Sequence, residues 1–431
     1  FGWMMTLGLS VSILVTFLLI PSLLSIFATD AEITIKETQN SKITSVLANF
    51  SKRGTKVIFG STIIVIFLSV FGISKLEVEN SFINYFDKET EIYKGMKLID
   101  EELGGTTPLE VILKFPKEES QETNEDDDWG DEDEDNSKYW FTKDKIDKID
   151  KVHNYLENLD HVGKVLSFSS ILKVAESLNN KKPLGGLEIG VLYTKLPENI
   201  KREIVTPYVS IDDSEARISL RLKDSNKNLR RNELIKKINS DLKNEIKLSE
   251  DEYKLAGVLI IFNNLLQSLF KSQILTLGFV MLGIFFMFII LFRNLKLALI
   301  GVIPNFIAAF FILGIIGIFN IPLDMMTITI AAITIGIAVD NSIHYIYRFK
   351  EEFLKSGDYS KTVKTCHSTV GVAILNTSIT IVFGFSILVL SNFIPTIYFG
   401  IFTGLAMLLA MLLVLTLLPS FLISFKPFKT K

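Results

Sequence analysis

The chain has 431 residues, 48% of them hydrophobic with 33 Phe, a formal net charge of -3 and one cysteine. A single thiol excludes an internal disulfide, and the weak net charge gives no sign of a nucleic-acid partner. The apolar residues gather in long runs between polar stretches, which excludes an ordinary soluble globule.

Seven runs approach or exceed the roughly 20 helical residues needed to cross a hydrocarbon core. They lie near 7–27, 56–73, 274–292, 297–319, 323–346, 370–390 and 394–425, so the chain reads as a multi-pass α-helical membrane protein. No secretory signal pattern precedes the first run and the chain does not open on Met, so a longer protein is expected. The first run aligns without gaps on the last. Phe1-Gly2 falls on Phe399-Gly400, Leu19-Ile20-Pro21-Ser22 on Leu417-Leu418-Pro419-Ser420, and Phe27 on Phe425. Leu matches between apolar helices arise by chance, but the Phe-Gly opening and Pro-Ser close in one register point to duplication. Residues 1–27 are then the last helix of a preceding repeat, and 56–425 one complete unit.

Residues 28–54 form a polar linker in which 44–50 fits a short surface helix. A span over 55–74 leads into a polar domain over 75–272, a five-helix bundle over 273–426 and a short tail over 427–431. Lys and Arg set the orientation. Lys42, Lys52 and Arg53, then Arg293 and Lys296, then Arg348 to Lys364, then Lys426 to Lys431 all fall on one side by helix count. The short loops 320–324 and 391–396 carry neither residue. The basic side is expected to be cytoplasmic, which puts 75–272 outside a cell membrane.

Within 75–272 strand and helix periods alternate: strands over 109–115, 162–169, 216–222 and 253–256, helices over 146–159 and 232–246. Two βαβ-like sets imply an α+β domain of split-βαβ (ferredoxin-like) character. Gly104-Gly105 and Gly185-Gly186 fit turns. Residues 118–136 hold Glu125-Asp-Asp-Asp128 and Asp131-Glu-Asp-Glu-Asp135 without EF-hand spacing, which reads as a solvated, disordered insertion and not a calcium site.

No Walker-type phosphate loop, Gly-x-Ser-x-Gly elbow or zinc spacing among His153, His161, His344 and His367 occurs, so neither an enzyme nor a metal or cofactor is expected. Asp340 stands out in Thr334-Ile-Gly-Ile-Ala-Val-Asp340, about 22 Å along a helix from Met325. A carboxylate at such depth costs about 2.5–3.5 kcal/mol on insertion scales, and held from water it can bind and release a proton. Gly336, Asp340, His344 and Arg348 share one helical face. Gly336 would admit a neighbouring helix, and His344 fits interfacial snorkelling as well as relay duty. In the next helix Asn376, Thr377, Ser378 and Thr380 are candidate partners, though ordinary helix–helix hydrogen bonds account for any one of them. Pro304-Asn305 reads as a kink.

In order and spacing, these pieces resemble the RND (resistance–nodulation–division) superfamily. The motifs are Ile321-Pro-Leu-Asp324, Gly336-Ile-Ala-Val-Asp340, Thr377-Ser378 with Gly384-Phe385, Leu418-Pro419-Ser420 and Leu103-Gly-Gly-Thr106. The chain is most similar to the MMPL and hydrophobe/amphiphile efflux branch, related to sterol-sensing-domain proteins. The resemblance covers essentially the whole chain as a C-terminal half. It implies porter-like outer domains on duplicated six-helix repeats, and export of lipids or hydrophobic and amphiphilic compounds driven by inward proton flow. The family's essential intramembrane Asp maps onto Asp340; Asn341, His344, Thr377 and Ser378 are expected around it in the relay, with Gly336 and Gly384 as packing points. Many relatives carry Asp or Tyr where this chain has Asn341, which removes a second ionisable group. Expected partners are membrane lipids, the cargo, the preceding repeat, and a homo-oligomer or a periplasmic or outer-membrane protein. Two other readings stay open: a lipid- or sterol-sensing receptor or scaffold without transport, and an accessory of protein export.

Overall fold

A computed structural model of the chain describes residues 2–27, 42–76, 81, 83–116, 140–180, 182–226, 229–324 and 326–428. The acidic insertion 118–136 and linker residues 28–41 lie outside them. In chain order come α1 (Gly2–Phe27), α2 (Lys42–Arg53), α3 (Thr55–Ile73) and α4 (Glu91–Glu102). The polar domain follows with β1 (Thr107–Lys114), α5 (Lys143–Glu157), β2 (Val162–Leu166), α6 (Phe168–Leu178), α7 (Gly186–Lys195), α8 (Glu198–Ile200), β3 (Val209–Ser210), β4 (Glu215–Leu222), α9 (Arg231–Asn244) and β5 (Tyr253–Ala256). Then come α10 (Val258–Phe292), α11 (Leu295–Ile318), α12 (Ile330–Ser356), α13 (Tyr359–Ser368), α14 (Val370–Ser386) and α15 (Ile394–Phe425). Among the described residues seven helices are long and apolar enough to cross a membrane: α1, α3, α10, α11, α12, α14 and α15.

Two of these helices run further than their apolar sequence. The expected span from 274 is the inner part of α10, a 35-residue helix about 52 Å long. It starts inside the polar domain, where Leu259 belongs to the domain core and Asn263 reaches Asn232 of α9 at 3.4 Å. Asn263, Asn264, Gln267 and Lys271 hide that continuity from a hydropathy reading. Helix α12 likewise passes the expected end at 346 and stops at Gly357, whose φ of 64° suits a residue without Cβ. Arg348 and Lys355 therefore sit on a helix, each paired with Glu352 at 3.1 and 2.9 Å, and not in a loop. Cys366, in the stretch between the spans at 323–346 and 370–390, is buried in α13; burial pushes its thiol up to about 12, which leaves it unreactive.

The strands form one antiparallel sheet in the order β2-β4-β1-β5, with β3 on β4. Ala216, Ile218, Leu220 and Leu222 of β4 alternate inward with Leu109, Val111 and Leu113 of β1. They meet Ile149, Val152 and Leu156 of α5 and Ile238 and Leu242 of α9 in a single core. The 162–169 strand of the sequence ends at Leu166, because Ser167 caps α6 by accepting from the Ser169 amide.

The polar domain is tied to the bundle through residues 83–106. Asp100 is fully buried and accepts hydrogen bonds from the Thr106 amide and hydroxyl and from the Asp224 and Ser225 amides. Burial alone would raise this carboxyl, but the bonds from Ser225, Thr106 and Asp224 outweigh it and hold it below its usual range. Next door, Phe86 bridges to Phe393 and the Asp87 amide donates to Asn392, in the loop joining α14 to α15.

Candidate functional site

Asp340 sits ten residues into α12, about 12 Å before Arg348, the next cationic side chain on that helix. It does not point into the bundle. Asn341 and Ser342 occupy the inward side and are buried, and Ser342 meets Asn305 of α11 at 3.1 Å. Asp340 and His344 face outward, 71% and 65% exposed, with Asp340 Oδ1 3.4 Å from His344 Nε2. Among the described residues Asp340 makes no contact with a polar group of another helix. Gly336, Asp340, His344 and Tyr347 form one exposed stripe on α12.

The other sequence candidates are not gathered round that carboxylate. Thr377 of α14 turns back on its own helix, 3.0 Å from the Ala373 carbonyl. Ser378 is buried against the bundle, its hydroxyl without a hydrogen-bond partner, as is that of Thr403 on α15. A Cβ at Gly336 or Gly384 would meet nothing within 4 Å, so no helix among the described residues packs on either. Glycines elsewhere do carry close helix packing, among them Gly72, Gly314 and Gly317 between α3 and α11. A Cβ at Gly72 would fall on the Gly314 carbonyl, and one at Gly314 would lie 2.6 Å from Ser69 Cα.

A further polar cluster was not legible from spacing. Pro419 has no amide to close the helical bond to Leu415, so that carbonyl is free inside α15. Two other helices use it. His367 of α13 donates from Nε2 at 2.8 Å, and Ser51 Oγ of α2 lies 3.1 Å away. His367 Nδ1 faces both the Tyr345 hydroxyl of α12, fully buried, at 3.1 Å and the Val363 carbonyl at 2.9 Å, and Ser420 Oγ returns to the Ser51 carbonyl at 3.2 Å. The linker helix is thus docked onto the same end of the bundle as α13 and the end of α15, where the basic residues collect.

Burial holds the His367 ring below its usual range, with Lys52 acting the same way, against the Leu415 and Val363 carbonyls, which favour the charged form. The folded ring is neutral, so below about pH 6.5 the unfolded state takes up the proton first and the docked state loses stability as pH falls. Amide exchange of α2 and α13, corrected for intrinsic rates, should speed up between pH 7.5 and 5.5, and His367→Gln should remove most of that difference. Equal pH dependence in the variant would rule the ring out as its source.

At the opposite end, a cleft of about 570 Å³ separates the polar domain from the bundle; its lining includes Tyr85, Asp224, Arg231, Asp324 and Tyr398. Asp224 and Arg231 form a buried ion pair there. Polar side chains line it from both sides, Asp224 and Arg231 from the domain and Asn320 and Asp324 from the bundle.

Comparison with known proteins adds two matches. The model of the MMPL family matches residues 135–429. A protein of Methanocaldococcus jannaschii, whose name describes it as a membrane protein and no more, is 25% identical over 365 residues, covering 80% of this chain and 84% of the relative.

Proposed function

This chain belongs to the MMPL family, and we propose that it is a proton-driven secondary transporter that exports lipids or other hydrophobic or amphiphilic compounds. One observation carries the reading: a carboxylate paired with an imidazole on the outward face of a spanning helix. Hydrocarbon cannot be the natural neighbour of that pair, since an ionisable group in a span faces protein or a water-filled path. The face formed by Gly336, Asp340, His344 and Tyr347 is therefore covered in the working protein, and the preceding repeat expected from the α1–α15 alignment is its natural cover. Asp340 binds and releases the proton and His344 exchanges it with the basic side. Asn341 faces inward and stays neutral, and Thr377 and Ser378 lie away from the pair, so their part in the relay is at most indirect.

The strand order and the two strand–helix–strand sets support a split-βαβ, porter-like domain. The segregation of basic segments to the end opposite that domain supports its extracytoplasmic placement in a cell membrane. Proton energy would reach this domain along two routes, the unbroken α10 and the 83–106 segment held on Phe393. A homo-oligomer or a periplasmic or outer-membrane protein would complete the export route.

The test is flux in reconstituted vesicles. With an imposed pH gradient a fluorescent amphiphile should cross against its own gradient, and collapsing the pH difference should stop it. Lipid binding with no pH-dependent flux would instead indicate a sensor or scaffold.

A further inference from the structure

One face of the sheet is covered by α5 and α9; the other is open. On the open face cations and anions sit in pairs, directly opposite or on the diagonal. Lys114 meets Glu215 at 3.6 Å, and Arg217 is bound to Glu110. Lys164 and Arg221 break that rule. They are direct cross-strand partners on β2 and β4, and neither has an ion-pair partner among the described residues. Like charges directly opposite destabilise a sheet, so this arrangement works against the fold.

A cleft of about 500 Å³ opens beside them. Its lining adds the Ser219 hydroxyl, one carboxylate at Glu102, and two exposed apolar side chains, Leu103 and Leu166. Leu166 lies opposite Ser219 in the same register, so the cleft has a cationic end and an apolar end two residues apart. Its wall is held by backbone: a Cβ at Gly163 would fall on Gly104, whose φ of 84° fixes the turn after α4.

We propose that this cleft binds the anionic headgroup, phosphate or carboxylate, of a single-chain amphiphile, with Lys164 and Arg221 on the headgroup and Leu103 and Leu166 on the first part of the chain. The guanidinium supplies a two-pronged donor and the ammonium a compact charge, while Ser219 supplies a hydroxyl. The inference rests on the transport reading for its biological sense and narrows the cargo to anionic amphiphiles. The binding itself needs no proton gradient.

The test uses the full chain in nanodiscs of zwitterionic lipid, with radiolabelled dodecyl phosphate as probe and empty nanodiscs to subtract partitioning. Lys164→Gln and Arg221→Gln should each weaken binding by roughly three- to tenfold, whereas Lys254→Gln, on the same face at the far edge strand, should leave it unchanged. Without probe, both cleft variants should raise the thermal midpoint, because each removes a repulsion. Inorganic phosphate should compete only at far higher concentration, lacking the chain. Unchanged binding in both cleft variants, a lowered midpoint, or phosphate competing as well as dodecyl phosphate would each overturn the proposal. Because binding is read without a gradient, a chain that binds but does not pump would sink the transport reading and leave this site standing.

Discussion

Asp340→Asn should abolish gradient-driven export while leaving the protein folded and inserted. A difference of one pH unit is worth about 1.4 kcal/mol per proton, enough to sustain a tenfold accumulation of cargo. The amide cannot carry that proton, so the accumulation ratio should fall to about one in vesicles matched for protein content. Folding should not suffer, because the Asp340 side chain is 71% exposed and its one ion-pair contact among the described residues is His344. Removing an ionisable group from an outward face should if anything ease insertion. Gly336→Leu sharpens the result. None of the described residues packs within 4 Å of a Cβ there, so the fold tolerates the side chain; a second helix seated on that face would not, and transport should fall with the protein intact. Full gradient-dependent export by Asp340→Asn would remove the carboxylate from the coupling.

The seven spans and four of the strands were legible because burial in lipid or in one sheet face imposes length and alternation that a short window detects. What a window cannot detect is a partner. The extension of α10 to Val258 depends on Leu259 docking in the polar domain, and polar residues along it mask the helix. Helix α13 carries mixed polar residues and reads as a loop until Tyr345 and Leu415 are placed against His367. The outward direction of Asp340 was equally hidden: helical spacing gives the face it shares with Gly336 and His344, but not which way that face turns. Its neighbours, Asn341 and Ser342, point inward.

Gly314→Val is expected to destabilise the bundle strongly, because it puts a side chain into a backbone-on-backbone contact. Helices α3 and α11 meet through Ser69 and Gly72 on one side and Gly314 and Gly317 on the other, each pair spaced three residues apart, with backbone on backbone. Water does not drive helices together in a bilayer, so close backbone approach supplies much of the attraction, and small residues make it possible. At Gly314 an added Cβ would lie 2.6 Å from Ser69 Cα, and no flexible side chain can give way there. Overpacking commonly costs about 1–3 kcal/mol where side chains can shift; here the helices themselves must separate, so the loss should reach or exceed that range. Gly278→Val and Gly283→Val in α10 are the controls, since a Cβ at either meets nothing within 4 Å. The measurement is the yield of monodisperse protein after extraction, together with amide exchange along α3. Yield should collapse and α3 lose protection for Gly314→Val alone. Wild-type yield and α3 protection in that variant would mean that backbone contact between these two helices does not hold the span in place.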